Sequence, residues 1–326
     1  MISFFKEKSA PAVFGLIFLS IVVHASFLNN PPAIVTTPSD GLLYYFLTPL
    51  NKIPSLGLSI LYHLIILVQA LRINYVLNDT RMYQKSAFTA ALAYILLTAL
   101  LPEWNNITAA LVANSMVIWL IFRMIKLYNT PQPKTLVYNI GLITGSIFLF
   151  YYPSMCIVPV VFFALGVTRP FRINEWFVLL LGIITPLYFW CGYLFLTDQL
   201  GSTLTAFGTY FLLHKIIPLN LKLTILAFSA AGILLITGVY TWQANNNRMV
   251  IQVRKMWSVL FIMLLLFLPI VFIMKGAWPN AILLACVPGA AFISNAFLYP
   301  KRLVSAFLFW LILGVIIYIN WLPFKI

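Results

Sequence analysis

The sequence predicts an all-α fold, a polytopic transmembrane bundle of about eleven spanning helices with short interfacial helices on the outer face. Two observations predict it. Of the 326 residues, 63% are hydrophobic and only 8% are charged, whereas a soluble globular domain carries roughly 25% charged residues. Apolar runs also recur from one end of the chain to the other, each close to the roughly 20 residues that a helix needs to cross about 30 Å of hydrocarbon.

The first apolar run, residues 10–28, follows Lys6 and Lys8 and has no convincing small-x-small cleavage site behind it. It is therefore predicted to be an uncleaved first helix and not a signal peptide. The later runs fall near residues 56–71, 86–101, 107–122, 136–150, 154–168, 174–196, 223–241, 256–274, 280–298 and 303–320. Together they predict a single integral membrane domain over residues 1–326, without a separate soluble domain.

The net charge of +14 is spread in pairs and triplets of cations between the apolar runs. A nucleic-acid-binding protein instead gathers its cations on one solvated face. No nucleic-acid partner is therefore predicted, and membrane lipids are the expected neighbours. When the N-terminus is placed in the cytoplasm, the cations of the outer side are Lys52, Lys215, Lys222, Lys275 and Lys325. All the others fall inside, and the positive-inside bias supports this orientation.

Residues 201–218 are apolar enough to enter a membrane but carry many hydroxyl groups and two glycines. If this segment spans, the helix count becomes about twelve and every later loop changes side. Charge alone barely separates the two topologies. We favour an outer interfacial or re-entrant helix, because Arg248, Arg254 and Lys255 form the densest later basic cluster and are expected inside.

The first outer loop, residues 29–55, begins with prolines and polar residues that predict an extended chain. The half that follows Asp40 is too short to span the bilayer. It is predicted to form a surface helix with Ser39 or Asp40 as its N-cap.

Three carboxylates stand where a predicted helix meets the outer interface: Asp40, Glu103 and Asp198. A carboxylate in the first outer loop, followed by a surface helix, suits a transferase with a polyprenyl-phosphate-linked sugar donor. The acid accepts the proton of the attacking hydroxyl, and cations hold the departing phosphate. These acids are the candidate catalytic residues, and the alternative is that they cap a helix or belong to ordinary loops. The candidate phosphate contacts are Lys52, His214 and Lys215.

His63 falls near the middle of the second predicted helix, where an ionisable side chain is a candidate for proton relay or headgroup binding. The alternative is a neutral imidazole that hydrogen-bonds a neighbouring helix. Walker, dinucleotide-binding, metalloprotease and paired-histidine motifs are absent from the sequence. No cofactor and no metal are therefore predicted.

Four stretches, residues 86–97, 101–104, 151–154 and 174–200, carry a resemblance to a known family. They resemble an uncharacterised inner-membrane family, a domain of unknown function, of Bacteroidota-type bacteria. The resemblance implies a multi-pass protein of the bacterial inner membrane and no particular activity. More remotely, the first outer loop with Asp40 resembles that of C-type glycosyltransferases, which use lipid-linked sugars. Those enzymes usually have a larger first outer loop and often a soluble outer domain, neither of which this chain has.

Three functions remain open from the sequence. The first is an enzyme of envelope glycan or lipid metabolism that uses a lipid-phosphate-linked donor, with a polyprenyl-phosphate carrier as its partner. The second is a transporter or lipid flippase, in which His63 and proline-broken helices line a path. The third is a non-catalytic subunit that scaffolds another membrane protein.

Overall fold

The computed structural model describes residues 2–7, 9–37, 40–210, 221–270 and 278–321. In these ranges the chain is almost entirely helical, so the all-α prediction is confirmed. The strands of the described residues are two short ones, β1 (Ile34–Val35) and β2 (Ile107–Thr108), which pair in parallel.

The α-helices are α1 (Ile2–Phe5), α2 (Ala10–Val23), α3 (Leu42–Leu47), α4 (Ser55–Asp79), α5 (Thr89–Thr98), α6 (Ala109–Ile125), α7 (Lys134–Phe150), α8 (Ile157–Thr168), α9 (Ile173–Leu196), α10 (Leu200–Tyr210), α11 (Leu221–Asn246), α12 (Ile251–Phe267), α13 (Trp278–Ala281), α14 (Cys286–Leu298) and α15 (Arg302–Trp321). Short 3-10 helices lie at Ala25–Leu28, Thr48–Lys52, Pro102–Asn105, Lys126–Asn129, Tyr152–Cys156 and Ile282–Ala285.

Among the described residues, 6 helical stretches are long and apolar enough to cross a membrane. They are α4, α6 with its extension to Tyr128, α9, α11, Pro279–Leu298 and α15. Shorter apolar helices are Ala10–Val23, Thr89–Thr98, Lys134–Phe150 and Tyr152–Thr168. The membrane class is thereby confirmed, but helix length alone supports fewer crossings than the sequence predicts. The reason is physical: a helix with the length of α5 covers only about 15 Å, half of the hydrocarbon thickness.

The centre of the bundle is formed by α5 and α14. Every residue of α5 is buried, and so is every residue of α14 from Cys286 to Phe297. The two helices pack against each other, and the hydroxyl groups of Thr89 and Ser294 lie 2.9 Å apart across their contact. Small residues such as Ala90, Ala91 and Gly289 allow this close packing, because the backbones of membrane helices approach each other where side chains are small.

The most extensive helix pair is formed by α7 and α9. Gly141 of α7 and Gly182 of α9 face each other across it. A Cβ atom added to Gly141 would lie 2.5 Å from the carbonyl oxygen of Leu179, and one added to Gly182 would lie 2.5 Å from that of Tyr138. The pair therefore depends on backbone-to-backbone contact.

Hydrogen bonds between the elements show which helix ends lie together at each end of the bundle. The end that contains Lys6 is named the Lys6 end. There the carbonyl oxygen of Phe5 accepts a hydrogen bond from the amide of Phe88 at 2.8 Å. The ammonium group of Lys6 donates to the carbonyl oxygen of Leu298 at 3.2 Å and to the hydroxyl of Ser305 at 3.3 Å. The start of α5, the end of α14 and the start of α15 thus meet at this end.

The opposite end, named the Asp40 end, holds the loops that precede α4 and α6. Here the side-chain nitrogen Nδ2 of Asn105 donates to Asn320 Oδ1 at 2.7 Å, and Asn320 Nδ2 donates to the carbonyl oxygen of Ala99 at 3.0 Å. Strands β1 and β2 pair at the same end, with Ile34 opposite Ile107. Both α5 and α15 therefore run from the Lys6 end to the Asp40 end.

Candidate functional site

Two cavities open at the Asp40 end, and the segment between α2 and α4 contributes to both. Residues 25–31 of this segment line one cavity, and residues 41–46 line the other. Between these two parts, β1 attaches the segment to β2, directly before α6. One loop thus connects the two candidate sites.

The first cavity, named the aromatic cavity, has a volume of about 680 Å³. It lies between α3, the end of α9 and the start of α10, and the 3-10 turn that follows α7 forms another wall. Its aromatic lining consists of Tyr44, Tyr45, Phe46, Tyr152, Trp190 and Tyr193. Polar groups on the α10 side come from Gln199, Ser202 and Thr203. Aromatic rings with polar tips suit a ligand that lies between water and lipid.

Gly41 holds the wall of the aromatic cavity in place. Its φ of 67° and ψ of −145° belong to a region that is almost restricted to glycine. An added Cβ would lie 2.5 Å from the carbonyl oxygen of Leu149, so the backbone of Gly41 rests directly on the end of α7. Gly41 is also the N-cap of α3. The prediction that Asp40 or Ser39 caps this helix is therefore wrong for Asp40, and Ser39 lies outside the described residues.

The carboxyl group of Asp40 lies behind this wall. Its side chain is only 2% exposed. The Thr37 amide donates to Asp40 Oδ2 at 2.6 Å, and the Asp40 amide donates to the carbonyl oxygen of Thr37 at 2.9 Å, which closes a tight turn. Burial raises the pKa of the Asp40 carboxyl to about 6, against the opposing effect of the hydrogen bonds from Thr37. A carboxyl with this pKa is ionised at neutral pH and is still able to take up a proton.

The hydroxyl of Tyr151 is buried close to Asp40. It has no hydrogen-bond partner among the described residues. Burial raises the pKa of Tyr151 well above its ordinary value, and the negative charge of Asp40 raises it further. The next residue, Tyr152, lines the aromatic cavity. Asp40 and Tyr151 are therefore both buried, and each directly precedes a residue of the cavity lining, Gly41 and Tyr152.

Asp198 lies on another side of the same cavity. It is exposed and adopts a φ of 55°, and its neighbour Gln199 lines the cavity. The Asp198 amide donates to the carbonyl oxygen of Phe195 at 3.2 Å, and the Gln199 amide donates to that of Leu194 at 2.9 Å. Hydrogen bonds of this kind are typical of a helix C-terminus that is followed by a residue in the left-handed backbone conformation, which aspartate tolerates. Asp198 therefore ends α9 and stands at the rim of the cavity.

The second cavity, named the amide cavity, has a volume of about 480 Å³. Its polar lining consists of Ser26, Asn29, Asn30, Asn105, Asn106 and Asn320. Trp321 and two prolines complete it. Glu103 lies on the same 3-10 turn as Asn105, and its Oε2 atom is buried without a hydrogen-bond partner in the described structure. The structure thus places Glu103 beside a different cavity from Asp40 and Asp198.

Neither of the two candidate substrate-binding residues that the structure describes, Lys52 and His63, lines either of the two cavities at this end. Lys52 is exposed at the end of its 3-10 helix and lines neither of them. His63 Nδ1 lies 3.0 Å from the hydroxyl of Ser20, so this histidine connects α4 to α2. It also lies outside both linings. His214 and Lys215 are outside the described residues.

The asparagines and most of the aromatic lining were missed by the analysis of the sequence. A signal was present: the doublets Asn29-Asn30 and Asn105-Asn106 each stand at an outer helix boundary. Amides are common in loops, so the doublets alone do not identify a site. Their meeting with Asn320, more than 200 positions away, exists only in the folded chain.

Within the described ranges, no group of at least 3 His, Cys, Asp or Glu residues could hold a metal ion. No protein-family model, curated protein or solved structure matches this chain. Its function must therefore be argued from the geometry of the sites themselves.

Proposed function

We propose that this chain is a multi-pass protein of the bacterial inner membrane that acts in envelope glycan or lipid metabolism, with similarity to C-type glycosyltransferases. In this proposal the aromatic cavity binds a sugar carried on a polyprenyl phosphate, and Asp40 accepts a proton from the attacking hydroxyl. The observation that carries the proposal is the position of the Asp40 carboxyl directly behind the cavity wall.

The character of the aromatic cavity supports a lipid-linked ligand. Tyr45, Phe46 and Tyr193 line it and are also strongly exposed on the surface of the chain. Exposed aromatic side chains at the end of a membrane bundle are expected at the lipid interface. A cavity with such a rim is accessible from the lipid as well as from water, as a lipid-linked substrate requires.

The chemistry of Asp40 supports the role of base. Its pKa of about 6 is near the pH at which a base works best in a neutral medium. Asp40 directly precedes Gly41, which lines the cavity. A small movement of the turn between Thr37 and Gly41 would turn the carboxyl toward the ligand. None of the described lining residues of this cavity is cationic, so the phosphate would rely on Lys52 and on His214 and Lys215.

The proposal includes eleven crossings, made by α2, α4, α5, α6, α7, α8, α9, α11, α12, residues 278–298 and α15. The contacts at the two ends support it, because successive helices of this set begin at alternate ends. The end of α9 lies at the aromatic cavity. The end of α11 lies at the Lys6 end, because Trp242 packs against Trp257, whose indole donates to the carbonyl oxygen of Met82 at 3.4 Å. The segment between α9 and α11 then starts and finishes on the same side.

The distribution of charge supports a cytoplasmic Lys6 end. Arg169 pairs with Glu175 at 2.9 Å and donates to the carbonyl oxygens of Leu127 and Thr130. The ammonium group of Lys255 lies 5.3 Å from the ring centre of Tyr128 in the same region. Clusters of cations of this kind are expected on the cytoplasmic side. The two cavities at the Asp40 end then face the periplasm, where lipid-linked sugars are used by C-type enzymes.

The packing gives less support to the transporter alternative. The central helices α5 and α14 are buried along almost their whole length. The imidazole of His63 is held by Ser20 and lines neither the aromatic cavity nor the amide cavity. A scaffold role is supported by no contact or surface described above.

A crosslinking experiment tests the proposal. The purified chain in lipid nanodiscs is exposed to a polyprenyl-phosphate sugar with a photoreactive group, and the crosslinked fraction is measured by mass spectrometry. Trp190→Ala is expected to reduce crosslinking strongly, since Trp190 lines the aromatic cavity. Tyr188→Ala is the matched control, because Tyr188 is an exposed aromatic residue of the same helix outside the lining. Equal crosslinking in wild type and Trp190→Ala would overturn the assignment of the cavity.

The catalytic role of Asp40 needs a separate measurement. With a hydroxyl-bearing acceptor added, wild type is expected to transfer the sugar to that hydroxyl and to release the carrier phosphate. Asp40→Asn is expected to retain crosslinking and to abolish this release, because the amide cannot accept the proton of the hydroxyl. Release at the wild-type rate in this variant would exclude Asp40 as the base.

A further inference from the structure

We infer that the amide cavity is a binding site for an uncharged, hydroxyl-rich ligand, a sugar residue, separate from the aromatic cavity. This inference goes beyond the proposed function and requires neither Asp40 nor a lipid-linked donor. It rests on the hydrogen-bonding state of the asparagine side chains, on their burial and on the charge of the cavity wall.

Asn105 carries the argument. Its side chain is only 9% exposed, and it lines the cavity. Its amide nitrogen donates to Asn320 Oδ1 at 2.7 Å, whereas its Oδ1 atom has no hydrogen-bond partner among the described residues. A buried acceptor without a partner is unfavourable, and a donor supplied by a ligand would remove that cost.

The orientation of Asn105 is held by its neighbours. Asn320 Nδ2 donates to the carbonyl oxygens of Ala99 and Ile316, both at 3.0 Å. These bonds leave Asn320 Oδ1 as the acceptor that faces Asn105. The amide nitrogen of Asn105 is therefore directed to Asn320, and its oxygen remains buried without a partner in the described part of the chain. Because this oxygen has almost no accessible surface, a ligand donor reaches it only after a small shift of the cavity wall.

The opposite wall is also held in place. Asn106 Oδ1 accepts a hydrogen bond from the Ala33 amide at 3.0 Å, and the Ile107 amide donates to the carbonyl oxygen of Ala33 at 2.9 Å. These bonds extend the contact between β1 and β2 up to the cavity. The exposed side chains of Asn29 and Asn30 then lie across the cavity from Asn105.

The wall chemistry selects the ligand. Among the described lining residues, none carries a formal charge, so a phosphate or a carboxylate has no cation to bind. The unpartnered acceptor of Asn105 requires a donor. Hydroxyl groups supply donors and also accept from amide nitrogens. A volume of about 480 Å³ is enough for a small saccharide, and Trp321 offers an apolar ring face.

Saturation-transfer NMR tests the inference. The full chain is placed in phosphatidylcholine nanodiscs, which avoids sugar-based detergents, and is mixed in turn with methyl glucoside, methyl mannoside and N-acetylglucosamine. We expect transfer to at least one of these sugars. Asn105→Leu and Asn29→Ala are each expected to weaken its binding about tenfold, the effect of one lost hydrogen bond. Asn29 is exposed, so its variant keeps the test valid if Asn105→Leu fails to fold.

The controls separate this inference from the proposed function. Tyr188→Ala is expected to leave the sugar signal unchanged, because Tyr188 lines neither cavity. The aromatic cavity is itself proposed to bind a sugar, so a signal that Trp190→Ala abolishes and both asparagine variants keep would belong to that cavity and would overturn the inference. Inorganic phosphate is expected not to compete. The inference is overturned if none of the three sugars shows transfer in folded wild type, if both asparagine variants bind as wild type does, or if ethanolamine displaces the sugar and so reveals a site for ammonium headgroups.

Discussion

The buried carboxyl of Asp40 illustrates how burial makes a single residue sensitive to pH. Its charge is placed where water is almost absent, and only Thr37 hydrogen-bonds the carboxyl in the contacts described above. The neutral form is therefore favoured more strongly in the folded protein than in the unfolded chain.

The raised pKa of Asp40 gives a prediction about stability. Because the folded pKa of about 6 is above the ordinary aspartate pKa of 3.8, the folded state binds the proton more tightly than the unfolded chain does. Its contribution to stability is present below about pH 4 and is lost as the pH rises through about 6. Relative to Asp40→Asn, wild type is expected to lose about 3 kcal/mol across this window. Thermal unfolding of both proteins at pH 4 and pH 7.5 measures the difference. Parallel pH profiles for Asp40→Asn and wild type would contradict the prediction.

Gly41 gives a second prediction at the scale of the residue. Gly41→Ala places a side chain at a φ of 67° and against the carbonyl oxygen of Leu149. The strained backbone alone is expected to cost roughly 1–3 kcal/mol. The measurement is the unfolding temperature together with crosslinking at the aromatic cavity, both of which should fall. Gly192→Ala is the control, because nothing lies within 4 Å of an added Cβ there. A Gly41→Ala protein as stable as the Gly192→Ala protein would disprove the role of Gly41.

At the scale of the element, the pair α7 and α9 positions the aromatic cavity. The cavity is lined by Trp190 and Tyr193 of α9 and by Tyr152, which follows α7. These helices approach each other closely because Gly141 faces Gly182. The distance between the helix backbones therefore sets the distance between the aromatic walls.

Gly182→Ala tests this relation. An added Cβ would lie 2.5 Å from the carbonyl oxygen of Tyr138, so the helices must separate, at a cost of roughly 1–3 kcal/mol. Lower thermal stability and weaker crosslinking to the photoreactive donor are expected together. Gly314→Ala on α15 is the matched control, since an added Cβ meets nothing within 4 Å there. If Gly182→Ala matches Gly314→Ala in both measurements, the backbone contact does not position the cavity.

The prolines show why hydropathy alone does not predict where a helix begins. Pro159 and Pro288 lie inside apolar runs of the sequence, which predicts kinks. In the structure both stand in the first turn of their helices, α8 and α14, and each helix is preceded by a 3-10 turn. A proline is tolerated at such a position because the amide it lacks would have no intrahelical partner. Pro186 is different, because it lies inside α9.

At the scale of the whole molecule, the proposed topology predicts on which side of the membrane each loop lies. In a background without native cysteines, Asn51→Cys is expected to react with a membrane-impermeant maleimide added to intact cells, and Asn174→Cys is expected not to react. Asn247→Cys separates the two topologies. Eleven crossings place it in the cytoplasm and predict no labelling before the membrane is permeabilised, whereas a spanning segment at residues 201–218 predicts immediate labelling.

Much of the architecture follows from the sequence. Hydropathy located α9 and α15 to within one residue at each end, with runs at residues 174–196 and 303–320. It was less exact for α4, which continues to Asp79 and so ends eight residues after the predicted run 56–71. It did not reveal that α5 has only 10 residues or that it is completely buried. Burial by protein and burial by lipid select the same apolar side chains, so composition cannot distinguish them.

The candidate sites were less predictable. The sequence identified the three outer acids as candidates, but it did not predict which of them lie at the same cavity. Asp40 and Asp198 flank one cavity because Gly41 rests on α7 and α7 packs against α9. Glu103 lies at the other cavity because β1 pairs with β2. These contacts join residues that are far apart along the chain, and no local pattern encodes them.

The sequence by itself determined the membrane class, the helical fold and the asymmetry of charge, because each of these depends on side-chain hydropathy summed over neighbouring residues. Only the tertiary structure decided that the Asp40 carboxyl lies behind the aromatic cavity, and that Asn105 meets Asn320 with one oxygen left unpaired. The physical reason is that a site is defined by distances of a few ångströms between side chains. Such distances are set by helix packing and not by the order of residues.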